Sequence, residues 1–327
     1  MPLITDFSRD VLRRRHGLSL QQTDSLIGKT ASKESYHEKI SALEKVAEFL
    51  RITDALTSEG ISFVALKGPV LSHRIYGDAT VRDYRDLDLL MDFRSVRRAG
   101  ELLVGLGYEP SGYQLPGGKI GQQIVFSHVH HILFTHKTRN LRVELHWRLF
   151  QSPPVQFSKL DDLVKENLSE ITMEGRVLRA LSAELELLYL VMHGGIHSWR
   201  RLKWLLDISE FLKTTKIDWV KFRAIAVDLK ASRLISLANY LLSEYFPYGP
   251  SIPWENEKIH FMRSYAIRQI NRVDEPEYET VNMKLSRLRF SFQCYPGLRY
   301  KFKRVRSAVI FYFYHGFSKV ATSAASQ

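Results

Sequence analysis

The sequence predicts an α/β core of about 150 residues followed by a helical domain, and three observations carry that expectation. Short apolar runs bounded by glycine alternate with amphipathic helical stripes up to residue 150. Pro153-Pro154 then interrupts the chain, as a proline pair does to regular structure. From about residue 160 onward the apolar spacing is helical.

Residues 38–58 place Ile40, Leu43, Val46, Phe49 and Leu50 on one helical face, ended by Gly60. The run ISFVAL at 61–66 is short, apolar and flanked by glycine, which predicts a buried strand. Pro69 suits the first turn of a helix running to about Tyr76. LDLLM at 87–91 is a second buried strand, and Val96, Ala99, Leu102, Leu103 and Leu106 form a helical stripe ended by Gly107. Between 124 and 149 two strand-like segments flank the polar turn 137–140, a predicted hairpin. Beyond the prolines the clearest element is 183–213, with Gly194-Gly195 as a kink or break. The chain thus divides into an extension (1–37), a core (38–152), a helical domain (153–295) and a basic, aromatic C-terminal helix (296–327).

With 45% hydrophobic and 25% charged residues, the chain has the apolar content to build a real core. No apolar run reaches the ~18 residues of a spanning helix, and the N-terminus carries charges where a signal peptide needs an apolar stretch. A cytoplasmic location is expected. Cys294 is the single cysteine, which excludes an internal disulfide and any multi-cysteine metal site, so a metal would be held by oxygen or imidazole. The net charge of +12 suggests an anionic partner, but no acidic residue follows Glu279, so much of the excess lies in the C-terminal segment.

Asp86 and Asp88 lie two apart on a predicted strand and share one face, while Leu87 and Leu89 point to the other. Neighbouring carboxylates repel unless a cation sits between them, and such a pair suits Mg²⁺ completed by substrate phosphates. On its own a D-x-D pair is equally well a solvated strand edge. Upstream, Lys67-Gly68 joins a strand to a helix start, where backbone amides and a lysine can meet phosphate, although an ordinary β–α turn reads the same way. Downstream, Arg142, Glu144 and His146 share the face opposite Val143 and Leu145, so Glu144 can supply a third carboxylate for metal binding or for a general base.

In this order, LKG…R…DLDLL…VELHWRL is similar to the DNA polymerase β-like nucleotidyltransferase superfamily, and looks like the branch labelled uncharacterised nucleotidyltransferase family 5. The matching stretches are FVALKGPVLSHRIYGD, VRDYRDLDLLMD, VELHWRL and LLYLVMHGGIHSWRRLKWLLDISEFL, within about residues 40–215. The resemblance implies an α+β fold, with a mixed sheet and helices forming the nucleotidyltransferase core ahead of a helical domain. It also implies two Mg²⁺ ions, with Mn²⁺ as a substitute, held by Asp86, Asp88 and Glu144. The implied reaction moves a nucleoside monophosphate from a nucleoside triphosphate to an unidentified acceptor hydroxyl and releases pyrophosphate. Where the superfamily usually has a Gly-Ser turn against phosphate, this chain has Gly68-Pro69, and proline offers neither hydroxyl nor N–H. Lys67 and Arg82 are the candidates to compensate.

His193 and His197 are four apart on a predicted helix, without the glutamate of a metalloprotease motif. His197, Arg200 or Arg201, and Lys203 are expected to face the cleft and contact nucleotide, the alternative being structural histidines and solvated basic residues. Asp207 is expected to pair with Lys203. His128, His130 and His136 alternate to one strand face and His131 to the other, so no catalytic role is assigned to them. The basic and aromatic tail suits a packed terminal helix, or a weak contact with a membrane surface or nucleic acid. The alternative to an enzyme is a catalytically silent nucleotide-binding regulator or antitoxin-like partner.

Overall fold

The computed structural model describes residues 4–29, 33–112, 118, 122, 125–126, 129–139, 141–272, 280–298, 300–302 and 305–306. Expectations on Ile124, His128, Asn140 and the tail from 307 onward fall outside the described residues.

Two short helices, α1 (Arg9–Arg14) and α2 (Leu20–Leu26), precede the long α3 (Lys33–Ser58). A strand–helix–strand unit follows, β1 (Val64–Leu66), α4 (Gly68–Tyr76) and β2 (Asp86–Leu90). Next come α5 (Phe93–Gly105), β3 (Tyr108–Ser111), β4 (His131–His136) and β5 (Arg142–His146). The five strands form one mixed sheet in the order β1-β2-β5-β4-β3, with β2 and β5 parallel and the other neighbours antiparallel.

Strand alternation gives this sheet two different faces. Ala65, Leu87, Leu89, Val143, Leu145, Ile132 and Phe134 pack with Val46, Phe49, Ile52 and Leu56 of α3 and Val96, Ala99 and Leu103 of α5. The other face carries Asp86, Asp88 and Glu144, and its apolar members Val64, Leu66 and Leu90 join the core of the helical half. The functional side chains therefore lie between the sheet and the helices that follow it. Ile40 and Leu43, expected on the buried face of α3, are 56% and 52% exposed; burial along that face begins at Ala42 and Val46.

The helical half contains α6 (Phe157–Glu166), α7 (Ala183–Ile196), α8 (Leu202–Thr214), α9 (Trp219–Asp228), α10 (Ser232–Tyr245), α11 (His260–Ile270) and α12 (Val281–Cys294). The helical reading from residue 160 onward needs one correction. β6 (Leu168–Met173) and β7 (Arg176–Leu181) form an antiparallel hairpin that packs on β1. Its two-residue turn, Glu174-Gly175, has φ of 49° and 73°, the left-handed geometry that matches strand twist in a tight hairpin. Arg74 of α4 ties this hairpin to α7 by bonding the Leu181 carbonyl and the Ser169 hydroxyl and pairing with buried Glu186. The apolar core is consequently continuous across Pro153-Pro154, with Leu66, Leu71 and Leu90 in one cluster with Leu188, Leu205 and Leu234.

The predicted helix 183–213 divides into α7 and α8. The break falls after Ile196, just beyond the glycine pair. A methyl group on Gly194 would lie 2.3 Å from the Trp199 ring, so the missing side chain is what lets the chain fold back there.

Candidate functional site

The three acids are arranged by strand register. In the parallel β2–β5 pair Asp88 lies opposite Glu144 and Asp86 opposite Arg142. Asp88 is 8% exposed. Its Oδ1 lies 3.0 Å from His146 Nε2 and its Oδ2 lies 3.7 Å from Lys67 Nζ. The same His146 nitrogen is 3.1 Å from Glu144 Oε2. Burial alone would raise the Asp88 pKa, but Lys67 and His146 hold it far below the usual carboxylate range. Burial also opposes the charge on His146, yet Asp88 and Glu144 raise its pKa to about 9, so in the absence of metal it is a cation bridging two carboxylates.

Asp86 is less enclosed and accepts a 2.5 Å hydrogen bond from Arg142 Nε. Burial raises its pKa, with Arg142 opposing the shift. Asp88, Glu144 and His146 each offer a ligand atom within 4.8 Å of the others. Asp86 is not part of that group, and its carboxylate is engaged by Arg142 instead. This donor set, two carboxylates and an imidazole, fits one divalent cation. His130, His131 and His146 form a second group that shares His146.

Lys67 has φ 46° and ψ −135°, a conformation rarely taken by a side-chain-bearing residue, at the cap of α4. Gly68 follows with φ 48°, a left-handed value that glycine adopts without strain. The turn aims Lys67 Nζ to 3.3 Å from His193 Nδ1 and over the Tyr189 ring at 4.9 Å. Burial opposes its charge, while Tyr189 and Asp88 keep its pKa above the ordinary lysine value. Pro69 removes one of the amide donors at the start of α4.

The remaining predicted residues separate. His197 is stacked on Trp204 at 5.3 Å and meets His193 edge-on at 4.6 Å, so it reaches the Lys67 neighbourhood through His193. Arg201 is the N-cap residue of α8. Lys203 Nζ donates to the Asp83 carbonyl at 3.4 Å, and its stem packs across Gly17. Burial lowers its pKa to about 8. Arg82 departs from the expected phosphate contact. Its Nε and Nη2 grip Asp207 with two 2.8 Å bonds, in a pair where both side chains are almost wholly buried. Asp207 therefore pairs with Arg82 rather than with Lys203, because the loop before β2 brings a planar fork to α8.

The sequence reading missed His146 as a partner of both acids, and it separated His130 from His131. Hairpin pairing sets His131 opposite His146, and His130 lies before the strand begins, so alternation does not govern it. Its ring lies 4.5 Å from His131 and 5.4 Å from His146. A hairpin centred on the predicted turn would have matched 131 with 146. Lys67, His193 and Tyr189 meet only through tertiary packing, which strand and helix periodicity do not reveal.

Among solved structures, the chain is similar to the lincosamide antibiotic adenylyltransferase LnuA bound to lincomycin, at 18% identity and TM-score 0.37, over 52% of this chain and 97% of that one. It is also similar to ANT(2")-Ia in complex with adenylyl-2"-tobramycin, at 12% identity and TM-score 0.40, over 57% and 97% of the two chains. A third is an antigenic nucleotidyltransferase-like protein from Paracoccidioides brasiliensis, at 15% identity and TM-score 0.40, over 68% and 93%. No match is found among the curated proteins. Residues 29–247, more than half of the chain, match the family described as Uncharacterised nucleotidyltransferase, and the chain belongs to that family.

Proposed function

We propose that this nucleotidyltransferase moves a nucleoside monophosphate from a nucleoside triphosphate to a hydroxyl group of a small molecule, sugar or protein, releasing pyrophosphate. The observation that carries the reading is the pairing of Asp88 with Glu144 across parallel strands, with Lys67 facing Asp88 from the β1–α4 turn. Asp88, Glu144 and His146 would hold a divalent cation, and Asp86 would join them on leaving Arg142. When bound, such a cation neutralises phosphate charge and orients the α-phosphate. His146 must lose its bridging proton to become a ligand.

The chain's own groups account for the rest. Lys67 supplies a positive charge beside the carboxylates, where triphosphate oxygens would sit. Glu144, the less buried of the two paired acids, is placed to take the proton of the attacking hydroxyl. The new bond joins that oxygen to the α-phosphorus, and the α–β phosphoanhydride bond breaks. Incubation with each α-labelled triphosphate, Mg²⁺ or Mn²⁺ and pooled acceptors should yield labelled product and pyrophosphate. Unchanged turnover in Asp88→Asn and Glu144→Gln would sink the assignment.

A second reading, a nucleotide-binding regulator that transfers nothing, is favoured by Pro69 and by the Arg142–Asp86 contact. It predicts triphosphate binding without pyrophosphate release under every acceptor tested.

A further inference from the structure

A cavity of about 740 Å³ opens at the far end of β2 and β5 from Asp86, a size usual for small-molecule sites. Phe93, Trp147, Leu160 and Val164 give it an apolar wall, and Arg94, Lys165 and Arg179 stand on its more exposed rim. Arg148 lines it as well and is only 2% exposed. Its guanidinium is held between the rings of Phe126 and Phe157, 3.8 Å and 3.6 Å from their centroids. Nη1 donates to the Phe126 carbonyl. Nε and Nη2 are buried with no hydrogen-bond partner among the described residues. Asp161 lies on the same wall, beyond ion-pair distance, and its charge partly supports that of Arg148. Burial lowers the Arg148 pKa only to about 10, so the group is a cation at neutral pH.

The molecule contains its own template for what that edge takes. Arg82 uses the same two atoms, Nε and Nη2, to grip the two oxygens of Asp207 at 2.8 Å each. A guanidinium already clamped by two rings has lost its rotational freedom, so side-on recognition of an oxyanion costs only the displacement of what now covers that edge. Leaving the edge unmet is costly, since a buried charged donor without an acceptor keeps its full desolvation penalty.

We propose that this cavity is a binding site, separate from the carboxylate centre, for a small molecule with a flat apolar body and an oxyanion. The body lies against Phe93 and Trp147 and the oxyanion takes the Nε–Nη2 edge of Arg148. Carboxylate and phosphate offer the same pair of oxygens.

Calorimetric titration of the full chain with 2-naphthoate, 2-naphthyl phosphate and neutral 2-naphthol tests this directly and does not depend on transfer activity. At least one of the two anions should bind about tenfold or more tighter than naphthol, and the tighter one identifies the oxyanion. Arg148→Met should erase that preference and leave naphthol binding intact, while Val164→Trp should fill the cavity and weaken all three. Equal affinity of the anions and naphthol for the wild-type chain overturns the proposal, whether or not Arg148→Met folds. So does an anion preference that persists in a folded Arg148→Met chain, or undiminished binding of the anions in a folded Val164→Trp chain.

Discussion

Arg82 and Asp207 form a closed pair of one cation and one anion with two parallel 2.8 Å bonds, and the pair fastens α8 to the loop before β2. The group around Asp88 is buried too, but its parts come from three separate segments: Lys67 from the β1–α4 turn, Asp88 from β2, and Glu144 and His146 from β5. There a single imidazole nitrogen is shared between two carboxylates, and His146 Nδ1 is buried with no partner among the described residues. The first arrangement satisfies itself. The second keeps its acids charged through Lys67 and a protonated His146, and leaves one buried imidazole nitrogen unmet among the described residues.

The sharpest way to break this contrast is to exchange its consequences. Asp88→Asn should lower transfer by about a thousandfold or more, the rate equivalent of several kcal/mol, while costing less stability than loss of Asp207, because the isosteric amide still meets Lys67 and His146. Asp207→Ala should do the reverse and destabilise the fold by about 3–5 kcal/mol, because Arg82 is left as an unpaired buried charge. Urea titration of both variants measures this, and the distinction fails if Asp88→Asn is the more destabilised.

A buried group without a charged partner sharpens the comparison through pH. His16 is fully buried and accepts a hydrogen bond from Leu202 N at the start of α8. Burial, with Arg15 and Arg201 nearby, lowers its pKa to about 3. The unfolded chain takes up this proton below its ordinary value of about 6.5, and the folded chain resists it. Stability contributed by neutral His16 is therefore present above that value and is lost as pH falls toward about 3. Between pH 7 and 4 the parent chain should lose roughly a few kcal/mol more than His16→Gln, as read from unfolding midpoints. A smaller effect is expected at Gly194→Ala, where the added methyl meets Trp199 at 2.3 Å. About 1–3 kcal/mol of destabilisation should follow, and transfer should weaken only in proportion to the folded fraction. The smallest belongs to the solvent-exposed pair Arg176–Asp54, whose removal should cost under about 1 kcal/mol.

The sheet faces were legible in the residues themselves. Alternation placed Asp86 and Asp88 opposite Leu87 and Leu89, and Pro69 began a helix that runs to Tyr76. The hairpin β4–β5 followed from its polar turn. β3 and the β6–β7 hairpin were not foreseen. β3 is four residues long with Pro110 inside it, and Glu174-Gly175 is a weaker turn signal than Asn-Gly or Asp-Gly. At the site, spacing found the carboxylates and put Arg142 and His146 on the face of Glu144, but it did not show which acid each cation would meet. Arg82 is engaged by Asp207, 125 positions away, and Lys67 meets His193 across 126. Spacing within one element carries no information about which distant element will face it.

Mn²⁺ binding tests the central claim most directly, because it requires no knowledge of the acceptor. Electron paramagnetic resonance should detect saturable Mn²⁺ uptake by the parent chain, tightened by a non-hydrolysable triphosphate, and should find it largely lost in folded Asp88→Asn and Glu144→Gln. Equal Mn²⁺ affinity in all three chains, with and without the triphosphate, would contradict a metal centre built on the β2–β5 pair.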